Sequence, residues 1–493
     1  MMTIHELEPK QVWENFYSLT RIPRPSKHEA KAIAFLQDFA KEHGLESYKD
    51  EIGNLIVRCP ATKGMENRVG VILQGHVDMV PQNNSDTPHN WDTDPIITRV
   101  VMKDGEPWVY ATGTTLGADD GLGDAVIMTI LASKDIPHGP LEALFTIDEE
   151  TGMTGACNLK PGVLKGDILI NLDSETEGEL YVGCAGGLDC NAEFAYKTIP
   201  LPEGYKVFEV KVDGLRGGHS GMEINEGRGN ANKIMARALV PVLKSMDGVM
   251  VSIEGGNMRN AIPREAIAKI AVPADKAETL KKWIAKVDTD EKAEISAIDP
   301  KVNVTVKESS AGKCMAGKTA LKTMQAVYAC PNAVQYMSLS IPGLVQTSNN
   351  LAIVNSEEGE DGNGTIHVKT LMRSSVDTQK EDLSEAIRSA FELAGGKVVM
   401  SGGYSGWKPD MESPILKAME KTYKQLFGKD PEVKAIHAGL ECGIFQQTYK
   451  WDMISTGPTL MSPHSPDERV YAPSVPKLFK FVCETLKNIP VKK

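Results

Sequence analysis

Residues 69–80 read VGVILQGHVDMV. The apolar run opens without alternation, which predicts a strand buried on both faces, as in a sheet covered by helices. It delivers His76 and Asp78 at its C-terminal end, the end at which open α/β sheets assemble their sites. Two later runs repeat the pattern. Leu141–Ile147 ends in Asp148-Glu149-Glu150, and Asp167–Leu172 ends at Asp173. Ahead of both, TTLGADDGLGDAVIMTILA (114–132) reads as a Gly-rich loop entering a helix, with Asp119 at the junction. A further strand is expected at Asn54–Arg58. Upstream, Ser26 followed by Glu29 predicts a capping box. It would open an amphipathic helix with Ile33, Leu36 and Ala40 on one side, ended by Gly44. The fold class is α/β, a mixed sheet flanked by helices.

After Gly186-Gly187 the texture changes. Strands at Phe208–Val212, Ala266–Val272, Val302–Val306 and Thr365–Leu371 alternate with helices near 229–245, 275–286, 318–329 and 379–394. This is α+β patterning, ordered as two similar sheet-and-helix halves. The expected organisation is one domain in two segments, 1–186 and 401–493, interrupted by an inserted second domain at 187–400. The length of 493 residues suits two or more domains.

A net charge of -12 argues against nucleic acid and anionic membrane as partners. No apolar run approaches the ~20 residues that span a bilayer. The start, MMTIHELEPK, has no apolar signal region, so a cytoplasmic location is expected. Eight cysteines without a CxxC pair read as reduced thiols.

The polar residues at these strand ends form a set. His76, Asp119, Glu150, Asp173 and His464 have side chains that bind divalent metals, and Glu149 sits where such sites keep a base. A two-metal hydrolase needs a bridging carboxylate, terminal ligands on each ion and a base for the attacking water. Each piece is weak alone: an HxD pair is more often a surface loop, and two adjacent glutamates a solvated face. Their joint occurrence in order, at strand ends, carries the reading.

The strings LQGHVDMVPQ (73–82), GADDGLG (117–123), FTIDEETGMTGA (145–156), LINLDSETEGELYVGCAGG (169–187) and GPT…HSPDER (457–469) resemble the di-zinc exopeptidase family of aminoacylases, glutamate carboxypeptidases and carnosinases. Within it they look most like the branch that cleaves Xaa-His dipeptides, carnosine-like substrates among them. The resemblance spans nearly the whole chain. It implies that His76 and Asp173 bind one metal, Glu150 and His464 the other, and that Asp119 bridges. Glu149 would deprotonate the water between the metals, and Asp78 would support His76. A cis peptide would follow Asp119. Two Zn2+ per subunit are implied, and such donors also accept Mn2+ or Co2+. The resemblance also implies that 1–186 and 401–493 form the catalytic domain and 187–400 a lid; the partner is a small dipeptide, and a lid of this size could carry a homodimer contact. An N-acyl amino-acid deacylase on the same site is the alternative.

The family places substrate contacts where this chain has His219 in RGGHSGMEI, Asn260 in GGNMRNAIPRE and Arg373 in LMRSS. An Arg suits a free carboxylate because its donors pair with both oxygens. His437, Gly439 and Glu441 of IHAGLECG could line the pocket near the second metal, while the same string also reads as a helix start packed on the core. One motif competes: GKCMAGKT, Gly312–Thr319, matches the phosphate-binding pattern GxxxxGK[ST] and would make the chain a nucleotide hydrolase. Polar residues separate it from the preceding strand. The acid-tipped strands that could serve Mg2+ lie before it, against the usual order.

Overall fold

The computed structural model describes residues 2–84 and 86–492. The chain divides into two compact units. The first comprises the residues up to Gly183, Pro409–Ala435 and Leu440 onward; the second comprises Cys184–Lys408 and Ile436–Gly439. Among the described residues, no helix is long and apolar enough to cross a membrane.

The first unit is built on an eight-stranded sheet. Its order is Glu46–Lys49, Leu55–Cys59, Leu141–Thr146, Val71–His76, Ile168–Asn171, Asp452–Ser455, Glu179–Cys184 and Glu432–Ile436. The strand Val71–His76 is buried at every position and pairs in parallel with both neighbours. Asp452–Ser455 continues the parallel run. Strands with one direction place their C-terminal ends along one edge, so the residues after His76, Thr146 and Asn171 come together there. The helix Ala118–Ala132 is buried almost all round, as its apolar sequence requires. It packs on the helix Lys10–Thr20, where Asn15 Nδ2 donates to Thr129 Oγ1 at 2.9 Å. A smaller sheet orders Leu460–Met461, Arg469–Tyr471, Glu106–Ala111 and Thr98–Lys103.

The helix Ala30–Glu42 buries Ile33, Leu36 and Ala40, and Gly44 follows it at φ 68°. The capping box does not form. Ser26 Oγ instead donates to Asp78 Oδ2 at 2.8 Å. Glu29 Oε1 accepts from the N–H groups of Lys27 (2.7 Å) and Asp148 (3.1 Å). Tertiary partners outbid the local cap at both residues.

The second unit carries a ten-stranded antiparallel sheet. One half holds Asn303–Ser309, Tyr205–Asp213, Ala266–Pro273 and Val249–Gly255; the other holds Val345–Glu358, Asn363–Ser374, Gly186–Pro200 and Lys397–Tyr404, with the short strands Ala333–Met337 on Val345–Glu358 and Lys313–Met315 on Gly186–Pro200. The halves join where Glu254 and Gly255 pair with Asn355 and Val354. Lys397–Tyr404 pairs with Gly186–Pro200, and from it this unit's chain runs on to Lys408. Helices Ala231–Ser245, Ala277–Ile295, Thr319–Ala329 and Asp377–Leu393 supply Leu239, Ile284, Met324 and Phe391 to its core, with Phe194 and Phe208 from the sheet. Each such side chain contributes about 1.5–3 kcal/mol by burial.

GKCMAGKT is no phosphate cradle. Lys313–Met315 form a strand paired with Pro200, Ile199 and Thr198, and the Ala316 N–H donates to Lys197 O at 2.7 Å. A phosphate-binding loop needs its N–H groups turned to the ligand; here the first half of the motif is a sheet strand, and the Ala316 N–H is taken by Lys197 O.

Candidate metal centre

Five elements of the first unit supply the site. His76 ends the central strand and is fully buried. Asp119 opens the helix Ala118–Ala132, and the Asp119–Asp120 peptide is cis. Glu149 and Glu150 form a short turn after Leu141–Thr146. Asp173 follows Ile168–Asn171, and His464 stands between the strands Leu460–Met461 and Arg469–Tyr471.

Their side chains converge on Asp119 from two directions. His76 Nε2 lies 3.0 Å from Asp119 Oδ1 and 3.3 Å from Asp173 Oδ1. His464 Nε2 lies 3.2 Å from Asp119 Oδ2 and 2.9 Å from Glu150 Oε2. Each oxygen of Asp119 therefore serves one imidazole–carboxylate pair. That division suits a carboxylate shared by two cations.

Asp78 links the centre to the glutamate turn. It lies 3.5 Å from His76 Nδ1 and accepts the N–H groups of Glu149 at 3.0 Å and Glu150 at 3.2 Å. Asp148, at φ 55°, accepts the hydroxyls of Thr151 and Thr154 and so closes the turn from below. The buried trio Glu29, Asp78 and Asp148 is thus met by backbone and hydroxyl donors, which suits a scaffold rather than a further cation.

The electrostatics also call for cations. Burial pushes the carboxyls of Glu149, Glu150 and Asp173 above the usual carboxylate range, and neighbouring carboxylates push the same way. Burial opposes ionisation of Asp119 too, yet hydrogen bonds from His464 and His76 hold it well below that range. His464 is raised to about 11: burial opposes this, and its bonds to Asp119 and Glu150 outweigh burial. Glu150 Oε1 is buried without a hydrogen-bond partner. Unpaired buried carboxylates are costly and are normally found paired or on metals. Imidazole with carboxylate is a donor set for Zn2+ and its neighbours.

A second layer of acids lies beneath. Glu441 is fully buried, and its Oε2 accepts from Gln74 Nε2 at 2.6 Å and Thr146 Oγ1 at 2.7 Å. It packs under the central strands instead of lining a pocket. Burial raises it to about 7 against those hydrogen bonds. Asp124 is likewise raised to about 7 by burial, opposed by the buried Arg24. An unfolded Glu ionises near 4.3. Between these values the folded protein binds more protons than the unfolded chain, so stability falls as pH rises through that window. The melting temperature of the metal-free protein is therefore expected to fall from pH 5 to pH 8. Glu441→Gln should flatten the fall by on the order of 3 kcal/mol at most; an unchanged slope would show that Glu441 ionises normally.

Sequence reasoning missed Arg24 and Glu468. The Arg24 guanidinium donates to Val77 O at 2.6 Å, Asp78 O at 3.1 Å and Gly117 O. It ties the end of the His76 strand to the Asp119 loop. No local pattern marks such a residue.

In the second unit, the other predicted contacts gather. His219 pairs across from Ala261, and the Ser220 N–H donates to Asn260 O at 2.8 Å. Arg373 Nε lies 3.5 Å from Ser220 Oγ. The N–H groups of Gly221 and Met222 donate to His219 Nδ1 at 3.2 and 3.1 Å, so its hydrogen sits on Nε2. His437 joins this cluster through a 2.7 Å contact of Nε2 with Ser348 Oγ.

The sequence profile described as peptidase family M20/M25/M40 matches residues 72–488. The chain belongs to this family. An M20/M25/M40 relative, the cytosol non-specific dipeptidase of Escherichia coli (strain K12), is 42% identical over 494 residues, covering 100% of both chains. The crystal structure of aminoacylhistidine dipeptidase from Vibrio alginolyticus is similar with a TM-score of 0.89 and 42% identity, covering 100% of this chain and 99% of that one. The aminopeptidase PepT from Bacillus cereus shares the fold at a TM-score of 0.56 and 16% identity, over 98% of this chain and 99% of its own. The chain is a peptidase of the M20/M25/M40 family, and its mixed α/β fold is that of its relatives.

Proposed function

We propose that this chain is a metal-dependent dipeptidase of the cytosol. In this reading His76 and Asp173 hold one divalent ion, Glu150 and His464 the other, and Asp119 serves both. The observation that carries it is the split of Asp119, with Oδ1 3.0 Å from His76 and Oδ2 3.2 Å from His464. Zn2+ is the proposed ion, and Mn2+ or Co2+ would suit the same donors. Such ions polarise a scissile carbonyl and make water acidic at neutral pH.

The chain's own residues do the rest. Glu149, with its proton affinity raised by burial, takes a proton from the attacking water and delivers it to the leaving amine. Asp78 accepts the Glu149 and Glu150 N–H groups and so fixes the turn that presents both side chains. Arg373 is proposed to receive the dipeptide carboxylate, and His219 and Asn260 to hold its backbone. Their grouping around Ser220 supports this.

The relatives' names support dipeptides as the substrate class. The Vibrio name supports C-terminal histidine; the Escherichia coli name supports a wider range. A panel of Xaa-His, other Xaa-Xaa dipeptides and N-acetyl amino acids is the test. Xaa-His dipeptides, carnosine among them, are expected to turn over with kcat/KM at least about 100-fold above any N-acetyl amino acid. Turnover of the N-acetyl compounds alone would overturn the reading in favour of a deacylase. A homodimer contact on the second unit belongs to the same proposal, supported by that unit's size, and the mass in solution tests it.

A further inference from the structure

We propose that Glu468 is a positioning residue that sets where Asp119 stands relative to His464. The chain from Leu116 to Asp119 leads into the helical turns without being helical itself: Gly117 has φ 67°, and Asp119 (ψ 109°) and Asp120 break the start of Ala118–Ala132. Buried N–H groups outside a helix or sheet ladder need acceptors from elsewhere. Glu468 supplies them from 350 residues away in sequence. Its Oε2 accepts from the N–H groups of Leu116 at 2.7 Å and Gly117 at 3.0 Å. Its Oε1 accepts from Ala118 at 2.8 Å and, at a longer 3.4 Å, from Asp119 itself. The side chain is almost fully buried.

The same turn carries His464. The Glu468 N–H donates to Ser465 O at 3.0 Å, and His464 is held at φ 59°. Asp119 is therefore gripped twice by one short segment, at its N–H by Glu468 and at Oδ2 by His464. A shift of either end moves the distance between Asp119 Oδ2 and His464 Nε2, which is 3.2 Å. The other side of Asp119 has an anchor of its own: Oδ1 faces His76, and Arg24 ties the end of the His76 strand to Gly117 O.

This inference rests on the proposed ligand set, and the test separates the two. Metal-free protein is titrated with Zn2+ and both dissociation constants are measured, together with the melting temperature before metal is added. In Glu468→Gln a donor NH2 replaces one acceptor facing four N–H groups, and the charge is lost. The ion on the His464 and Glu150 side should bind about 10–100-fold more weakly, while the ion on the His76 and Asp173 side stays within about 3-fold. Glu150→Ala, which removes a ligand from the same side, identifies the affected ion. Asp467→Asn, at the exposed neighbour, should leave both constants unchanged.

A purely structural role would lower the melting temperature and weaken both ions alike, and that result overturns the proposal, as does an unchanged pair of constants. If Glu468→Gln does not fold, Glu468→Asp carries the test. It keeps the charge one methylene short and should shift the same constant in the same direction by less. Should the unmodified protein take up fewer than two ions, the ligand set itself fails, whatever the variants do.

Discussion

Glu149→Gln is expected to lower kcat for a dipeptide by about 10²–10⁴-fold, the usual contribution of a general acid–base group. The substitution keeps the shape of the side chain and removes its ability to carry a proton. Glu149 N–H still bonds to Asp78, so the turn that presents Glu150 should stand. KM and metal content are therefore expected to stay within a few-fold of the unmodified enzyme. An effect confined to kcat marks a group that acts in the transition state. Steady-state rates with metal analysis check this, and a rate within about 10-fold of normal would mean that another group moves the proton.

Asp119→Ala should have the widest effect. Its two oxygens face different imidazoles, so its loss takes a donor from both halves of the centre. Neighbours of metal ligands typically cost 10–100-fold when mutated, and a shared ligand should cost about 10³-fold or more in kcat/KM. Metal content should fall for both ions. Asp173→Ala and Glu150→Ala form the contrast, since each touches only one of the imidazoles. Each of these is expected to retain one ion tightly. If Asp119→Ala retained both ions at normal affinity, Asp119 would not be the shared ligand.

The parts of this structure that could be read from sequence are those whose signal is local. The buried strand Val71–His76 declares itself by the apolar run that opens it, and His76 then falls at the sheet edge without further argument. The helix Ala30–Glu42 follows from its spacing of Ile33, Leu36 and Ala40. Where a residue's partner is distant in sequence, the local pattern misleads. Ser26 and Glu29 have the spacing of a cap, but the carboxylate of Asp78 and the N–H of Asp148 engage them instead. Glu441 looks like a pocket residue because it is charged and follows a glycine-containing loop; Gln74 and Thr146 draw it under the sheet. GKCMAGKT has the glycine spacing of a phosphate loop, and only the structure shows its first half to be a strand paired with residues 198–200. Glu468 was hidden for the same reason: a carboxylate that holds a loop 350 residues away has no signature near either end.

The central claim is that the two ends of this chain build one centre for two ions and that the centre hydrolyses dipeptides. The direct measurement is a Zn2+ titration of the metal-free protein, with bound metal and Xaa-His hydrolysis followed together. Two ions per chain should bind, with activity absent at the start and restored as the centre fills. Full activity in the metal-free protein, or saturation at a single ion per chain, would contradict it.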